Sequence, residues 1–366
     1  MIFSLYLLNL TPKTLRLHTK KMIKLLIKLA ENGLLPDMLI RLGIRRLCAQ
    51  RLLEATSIGK LEMKKRHSSW IDFLNESPIA LVPEKANEQH YEVPPRLFEL
   101  VLGSNLKYSS GYWPKGASSL DESELEMLKL SCERASLSDG QEVLELGCGW
   151  GSLTLYMAQN FPNSKITAVS NSKDQRQFIE NKCKKLKIEN IKVITADMND
   201  FSIDKSFDRV VSIEMFEHMR NYGELLKRVS GWLKKDGKLF VHIFSHKEIA
   251  YPFEDQDEGD WMAREFFSGG QMPSHRLLTC FPSRMKIEKD WRVDGTHYEK
   301  TSLAWLQKMD KNKAEVLELF KKTYGESDAN SWLQRWRIFF MSCEVLFGFN
   351  RGSEWGVSHY LFEKPQ

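Results

Sequence analysis

Apolar and polar positions follow two different periods along this chain. Before about residue 80 the period is helical. Met22, Leu25, Leu26 and Leu29 share one face of a stretch covering 12–32, and Lys20, Lys21, Lys24 and Lys28 share another. Thr11 suits an N-cap, Pro12 sits at the first helical position, and Gly33 marks a stop. A second helix is predicted over 37–54. Residues 58–88 carry mixed charge around an apolar patch from Trp70 to Phe73, and Pro78 and Pro83 break the run. A domain boundary is therefore expected at 80–88, dividing a basic helical region, 1–85, from the remainder, 86–366.

From about residue 120 helix-length segments alternate with short β-branched runs: Glu142–Leu146, Lys165–Val169, Ile191–Thr195, Asp208–Ile213 and Lys238–Ile243. That alternation predicts an α/β fold, a doubly wound Rossmann-like parallel sheet with helices on both faces. The core is expected over about 120–245. Residues 246–330, with Trp261, Trp291 and Trp305 among loops, break the rhythm and read as an inserted cap. Residues 331–366 return to the sheet through a late strand at Val357–Phe362.

Composition narrows this further. The 366 residues are 42% hydrophobic and 28% charged, as in a globular protein rather than a disordered one. The net charge of +5 is uneven: residues 1–66 hold 14 Lys and Arg against 4 Asp and Glu, so the first part carries +10 and the rest −5. A basic helical region on an acidic body fits an anionic lipid surface, or simply a solvated face on helices packed against the body; no nucleic-acid partner is expected. Cys48, Cys132, Cys148, Cys183, Cys280 and Cys343 form no C-x-x-C pair. Neither a metal site nor a disulfide framework is expected, and a reducing, cytoplasmic setting fits. Met1–Leu10 is apolar but shorter than the roughly 20 residues a spanning helix needs, and no small-residue cleavage site follows it.

The most specific local pattern is Val143-Leu-Glu-Leu-Gly147-Cys-Gly149-Trp-Gly151, followed by a helical stretch from Ser152. An apolar strand running into glycines that open a helix lets backbone N–H groups approach a ligand. Such a turn serves a dinucleotide or adenosylmethionine. A dinucleotide site wants an acid about 20 residues on for the ribose, and Ala168–Ser172 offers none. Instead Glu145 precedes the first glycine, where a carboxylate suits a cationic sulfonium ligand bearing an amino group. Asp197, after the third strand, can accept from an adenine amine or cap a helix.

The fourth strand ends in Ser212-Ile-Glu214-Met-Phe-Glu217-His218. Ligands of open α/β sheets bind beyond the carboxyl ends of the strands. One helical turn would bring Glu214, Glu217 and His218 onto adjacent faces, a group able to take up a proton near neutral pH. Capping and a salt bridge to Arg220 are the alternative.

These residues lie within a wider set of matching strings: Tyr91-Glu-Val-Pro, Gly103–Trp113, Leu144–Leu155, Ser170–Gln175, Ile213–Tyr222, Asp255–Glu258, Gly269–Pro273 and Glu354-Trp355. In them the chain resembles the cyclopropane-fatty-acid synthase superfamily, within it most closely the coclaurine N-methyltransferase branch. The resemblance implies a class I methyltransferase fold. It also implies an adenosylmethionine pocket that includes Tyr108, Ser109, Gly147, Gly149, Asn171, Gln175, Asp197 and Met198. Glu214, Glu217 and His218 fall where amine-methylating members carry acid/base residues. Cyclopropane-forming members use bicarbonate as base, held by a Glu, a His, a Tyr and the neighbourhood of a Cys. Glu217, His242 and Tyr298 match those side chains, and Ser110 replaces the Cys.

Two chemistries follow. A small amine attacks a sulfonium methyl as its free base, with Glu217 and His218 taking the proton. Alternatively an unsaturated phospholipid acyl chain attacks, giving a carbocation that bicarbonate deprotonates as the ring closes; basic helices on a lipid surface would accompany that chemistry. Ser110 and the closer string-by-string match favour the amine.

Overall fold

The structure, a computed structural model, describes residues 12–81, 93–281 and 285–364. Met1–Leu10 and the expected boundary between 85 and 86 lie outside them. The strands are β1 (Glu142–Leu146), β2 (Lys165–Ser170), β3 (Ile191–Thr195), β4 (Phe207–Ile213), β5 (Leu233–His246), β6 (Tyr251–Pro252), β7 (Gln271–Met272), β8 (Lys286–Asp294) and β9 (Trp355–Glu363). Seven form one sheet in the order β3-β2-β1-β4-β5-β9-β8, with β6 and β7 paired apart. β1 to β5 run parallel to their neighbours, while β9 is antiparallel to both β5 and β8.

The parallel strands are covered on both faces, which is why they read as nearly continuous apolar runs. Val143, Val211 and Phe240 pack with Leu128 and Cys132 of the helix Leu120–Arg134 and with Leu153 and Met157 of the helix Ser152–Asn160. Leu144, Leu146 and Val210, of opposite pleat, pack with Leu225, Leu226 and Val229 of the helix Tyr222–Trp232. Ser119 and Glu122 close a reciprocal capping box at the start of the helix Leu120–Arg134, worth about 1 kcal/mol.

The segment 246–330 is not all cap. β8 lies inside it and forms an edge of the main sheet. Its sequence, KIEKDWRVD, mixes charge with apolar positions as an exposed edge does, so it lacks the apolar run that marks the central strands.

Helices Pro12–Glu31 and Asp37–Thr56 pack against the long helix Ala329–Gly348. Ile27, Ala30, Ile40 and Cys48 join its apolar cluster. Arg41 grips Glu344 with two nitrogens at 3.0 and 2.8 Å, Arg337 holds Asp37 at 2.7 Å, and Trp261 Nε1 donates to Glu31 at 2.9 Å. The stripe read from the first helix is turned outward: Met22, Leu25 and Leu26 are exposed. Among the described residues no helix is long and apolar enough to cross a membrane.

Candidate active site

The strand order reverses between β1 and β4, and a cavity opens there beyond the carboxyl ends of β1 to β4. Each strand contributes the residue that follows it. After β1 comes the glycine turn, tied to β2 because the N–H groups of Gly147 and Cys148 both donate to Val169 O, at 2.9 and 3.0 Å. Gly147 (φ 79°) and Gly149 (φ 52°) occupy the left-handed region. They differ in what surrounds them: a Cβ on Gly147 would come within 2.7 Å of Met215, whereas one on Gly149 would meet nothing within 4 Å among the described residues beyond its own chain neighbours and would project into open space.

A loop opposite the turn carries Tyr108 and Ser109. Glu124, buried on the helix Leu120–Arg134, accepts the N–H groups of Gly103, Asn105 and Lys107 at 2.8, 2.9 and 3.3 Å and so pins this loop to the body. Burial raises the Glu124 carboxyl to about 7 despite these bonds.

Tyr108, Ser109, Glu145, Gly147, Gly149, Asn171, Gln175, Asp197 and Met198 all line the cavity. Glu145 is buried, accepts from Thr154 Oγ1 at 2.5 Å, and burial pushes its carboxyl up to about 8; a cationic ligand group beside it would restore the charge. Asp197 faces the cavity, and its side chain accepts from Asn199 N at 2.7 Å within a turn, not at the start of a helix. The Gln175 amide oxygen accepts from Ser170 Oγ at 2.6 Å, while its nitrogen, with Ser131 Oγ and Ser152 Oγ, has no hydrogen-bond partner among the described residues. All three belong to lining residues, and buried polar atoms without partners are costly unless a ligand or water meets them. These residues fit a polar, cationic nucleoside-type cofactor.

The acidic strand end is organised differently from the expected helical turn. Glu214 sits at φ 46°, a left-handed conformation costing a non-glycine residue about 1 kcal/mol, and its N–H is held by His242 O at 2.8 Å. Its carboxylate is a hub: Tyr298 OH donates at 2.7 Å, Ser110 N–H at 3.2 Å, and His242 Nε2 lies at 3.2 Å. Burial pushes this carboxyl above the ordinary range, against the pull of Lys107 and of the Tyr298 bond. His218 faces the same cavity, stacked on Phe267 with ring centres 4.8 Å apart. Burial lowers its imidazole to about 4, while Glu214 pulls the other way.

Glu217 does not join them. The turn Phe216–His218 is a single 3-10 turn, and Glu217 is fully buried away from the cavity, accepting Phe244 N–H of β5 at 2.7 Å. Burial and the neighbouring Glu214 push its carboxyl far up. His242 and Tyr298 also lie behind the cavity wall and reach it only through Glu214. Among the described residues Arg220 makes no carboxylate pair; it donates to Gly270 O at 2.9 Å and covers Trp70.

Lys107 was missed. It lines the cavity, donates to Ser109 Oγ, and is lowered by burial to about 8 although Glu214 and Glu124 raise it. The only sequence signal was its place within the Gly103–Trp113 string.

Comparison with known proteins fits this geometry. Residues 82–353 match the family model for mycolic acid cyclopropane synthetase. The chain belongs to this family. Within the family's reach, it is 38% identical over 349 residues to the (S)-coclaurine N-methyltransferase of Thalictrum flavum subsp. glaucum, covering 94% of this chain and 97% of that protein. The crystal structure of a coclaurine N-methyltransferase bound to N-methylheliamine and SAH superposes with a TM-score of 0.89 at 36% identity, covering 93% of this chain and 99% of that one. The cyclopropane-fatty-acyl-phospholipid synthase of Escherichia coli (strain K12) is 31% identical over 223 residues, 60% of this chain and 55% of that protein.

Proposed function

We propose that this protein is an S-adenosylmethionine-dependent N-methyltransferase of a small amine. The observation that carries the choice of acceptor is the Glu214 hub. Tyr298, His242 and the backbone at Ser110 are three of the groups that the family resemblance assigns to a bicarbonate cradle. Here all three converge on a carboxylate that the chain itself supplies. A second anion beside it would be repelled, so the lipid chemistry loses its base. The extent of similarity points the same way, since the N-methyltransferase relatives match almost end to end.

Cofactor binding is assigned to the glycine turn with Tyr108, Ser109, Glu145, Asn171, Gln175, Asp197 and Met198. Bound there, adenosylmethionine supplies an electrophilic methyl group on sulfonium. The protein's work is to orient the amine, exclude water and hold the proton that nitrogen sheds. His218 is neutral near pH 7 and can accept it. Glu214 is the anion that stabilises the resulting imidazolium, so the proton belongs to the Glu214–His218 pair. Glu217 acts at one remove, anchoring the turn that carries His218.

Incubation with adenosylmethionine labelled in its methyl group, offered to mixed amines and to extracted unsaturated phospholipids, tests this reading. Label is expected on amines, with or without bicarbonate in the buffer. Label on phospholipid, lost when bicarbonate is removed, would replace the amine reading with the cyclopropane one.

A further inference from the structure

Behind Glu214 a line of nitrogen atoms crosses the sheet away from the cavity. Glu214 Oε1 lies 3.2 Å from His242 Nε2, His242 Nδ1 lies 2.9 Å from His359 Nε2, and His359 Nδ1 lies 2.8 Å from Arg134 Nη1. His242 on β5 and His359 on β9 are directly opposed in the antiparallel register, so the sheet itself sets their pairing. Both residues are fully buried. Arg134 ends the helix Leu120–Arg134 and rests on Trp291, its guanidinium carbon 4.9 Å from the ring centre. Neither Arg134 nor His359 lines the cavity.

The direction of this line follows from valence. A guanidinium carries donors and no acceptor. His359 Nδ1, facing Arg134, must therefore be the bare, accepting nitrogen. A neutral imidazole with a bare Nδ1 carries its hydrogen on Nε2, so His359 donates to His242 Nδ1. That nitrogen is then bare in turn, and the His242 hydrogen sits on Nε2, pointed at Glu214. Both rings are held neutral: burial lowers them, and Arg134 and Lys107 lower them further.

We propose that Arg134 and His359 are positioning residues for the proton-accepting site. Because Arg134 cannot accept a hydrogen bond, it fixes one tautomer on two successive buried histidines, and His242 must present an N–H to Glu214. This rests on the reading of Glu214 given above. An N–H aimed at a carboxylate stabilises its charged form, so the line opposes the upward push of burial on Glu214. Lys107, Tyr298, His218, Glu217 and Cys343 bear on that carboxylate from its other sides, and none of them contacts Arg134. A guanidinium two rings away thus acts on the site through the direction of successive hydrogen bonds.

Ring 15N NMR of the full-length protein tests the line directly and without regard to the methyl acceptor. At neutral pH both His242 and His359 are expected to be protonated on Nε2 and bare on Nδ1. An Nδ1–H on either ring overturns the proposal. Kinetics of methyl transfer to mixed amines supply the second test. Arg134→Met should move the acid limb of kcat upward by about 0.5–1 pH unit and lower kcat roughly 3- to 10-fold at neutral pH, the scale of one weakened bond to a charged group, with the KM for adenosylmethionine unchanged. Arg134→Lys, also donor-only, should restore the limb. His359→Phe should give the same shift, and the double variant no more than either single one. Coincident limbs in wild type and Arg134→Met, or additive shifts in the double variant, overturn the proposal. A chain that methylates no amine would sink the functional reading and leave the ring spectra to decide the line.

Discussion

The cavity and the N-terminal helices use polar and apolar groups in opposite ways. Around the cavity, carboxylates and imidazoles are buried: Glu124, Glu145, Glu217 and His242 are all shut from solvent, and each is bonded to a named partner. In the helices Pro12–Glu31 and Asp37–Thr56 the reverse holds. Ten of the fourteen exposed large apolar side chains among the described residues fall between Met22 and Leu61. The charged groups there are mostly exposed, with a few partly buried clamps such as Arg41–Glu344. A buried charge that loses its partner is expensive, while an exposed pair contributes little. Substitutions in the first region should therefore register as chemistry, and those in the second as stability alone.

Gly149→Val is the strongest test of that division. Calorimetry should detect no adenosylmethionine binding, because the side chain would fill the open space beside the turn, while the protein still folds with Tm a few degrees lower from the left-handed backbone. Gly147→Val should also weaken the fold, since its Cβ meets Met215. Unchanged binding in folded Gly149→Val would misplace the pocket. Next come the proton-handling residues. His218→Ala should lower kcat by roughly 10²-fold. Activity requires the pair unprotonated, so the rate rises with pH through its titration and falls below it. With Glu214 raised by burial, the acid limb should lie above the ordinary carboxylate range and move down in Glu214→Gln, where His218 alone still titrates; a limb that does not move would remove Glu214 from the pair. Tyr298→Phe, which deletes one of several bonds to Glu214, should cost less than about 10-fold. Arg41→Ala should have the smallest effect, about 1 kcal/mol in thermal unfolding with kcat intact; a changed kcat would erase the contrast between the two regions.

Much of this was legible in the sequence, for reasons that differ by residue. The parallel strands were readable because burial on both faces leaves nearly continuous apolar runs, broken in Val143–Leu146 by Glu145 alone. The strand ends were readable because the topology brings successive turns to one edge. β8 was not, because an exposed edge needs no such run. Glu217 was misjudged because spacing on an assumed α-turn cannot reveal a 3-10 turn that sends its carboxylate to Phe244 N–H. Arg134 and His359 stand 225 positions apart and meet only because β9 inserts beside β5, so no local pattern announces them. The outward stripe of the first helix has the apolar period of a packed face. Periodicity shows that a face exists, not which one is covered.

The insertion of β9 also bears on the order in which the molecule assembles. β8 precedes β9 in sequence, yet among the described residues its one neighbour in the sheet is β9, which separates it from β5. Until residues 355–363 are in place, the fourteen-residue β5 has one unpaired edge, a template for pairing with other chains. Pairing that closes over more than a hundred intervening residues is slow to form. His359 arrives with the same strand. Sealing of the sheet and orientation of His242 thus depend on the same strand.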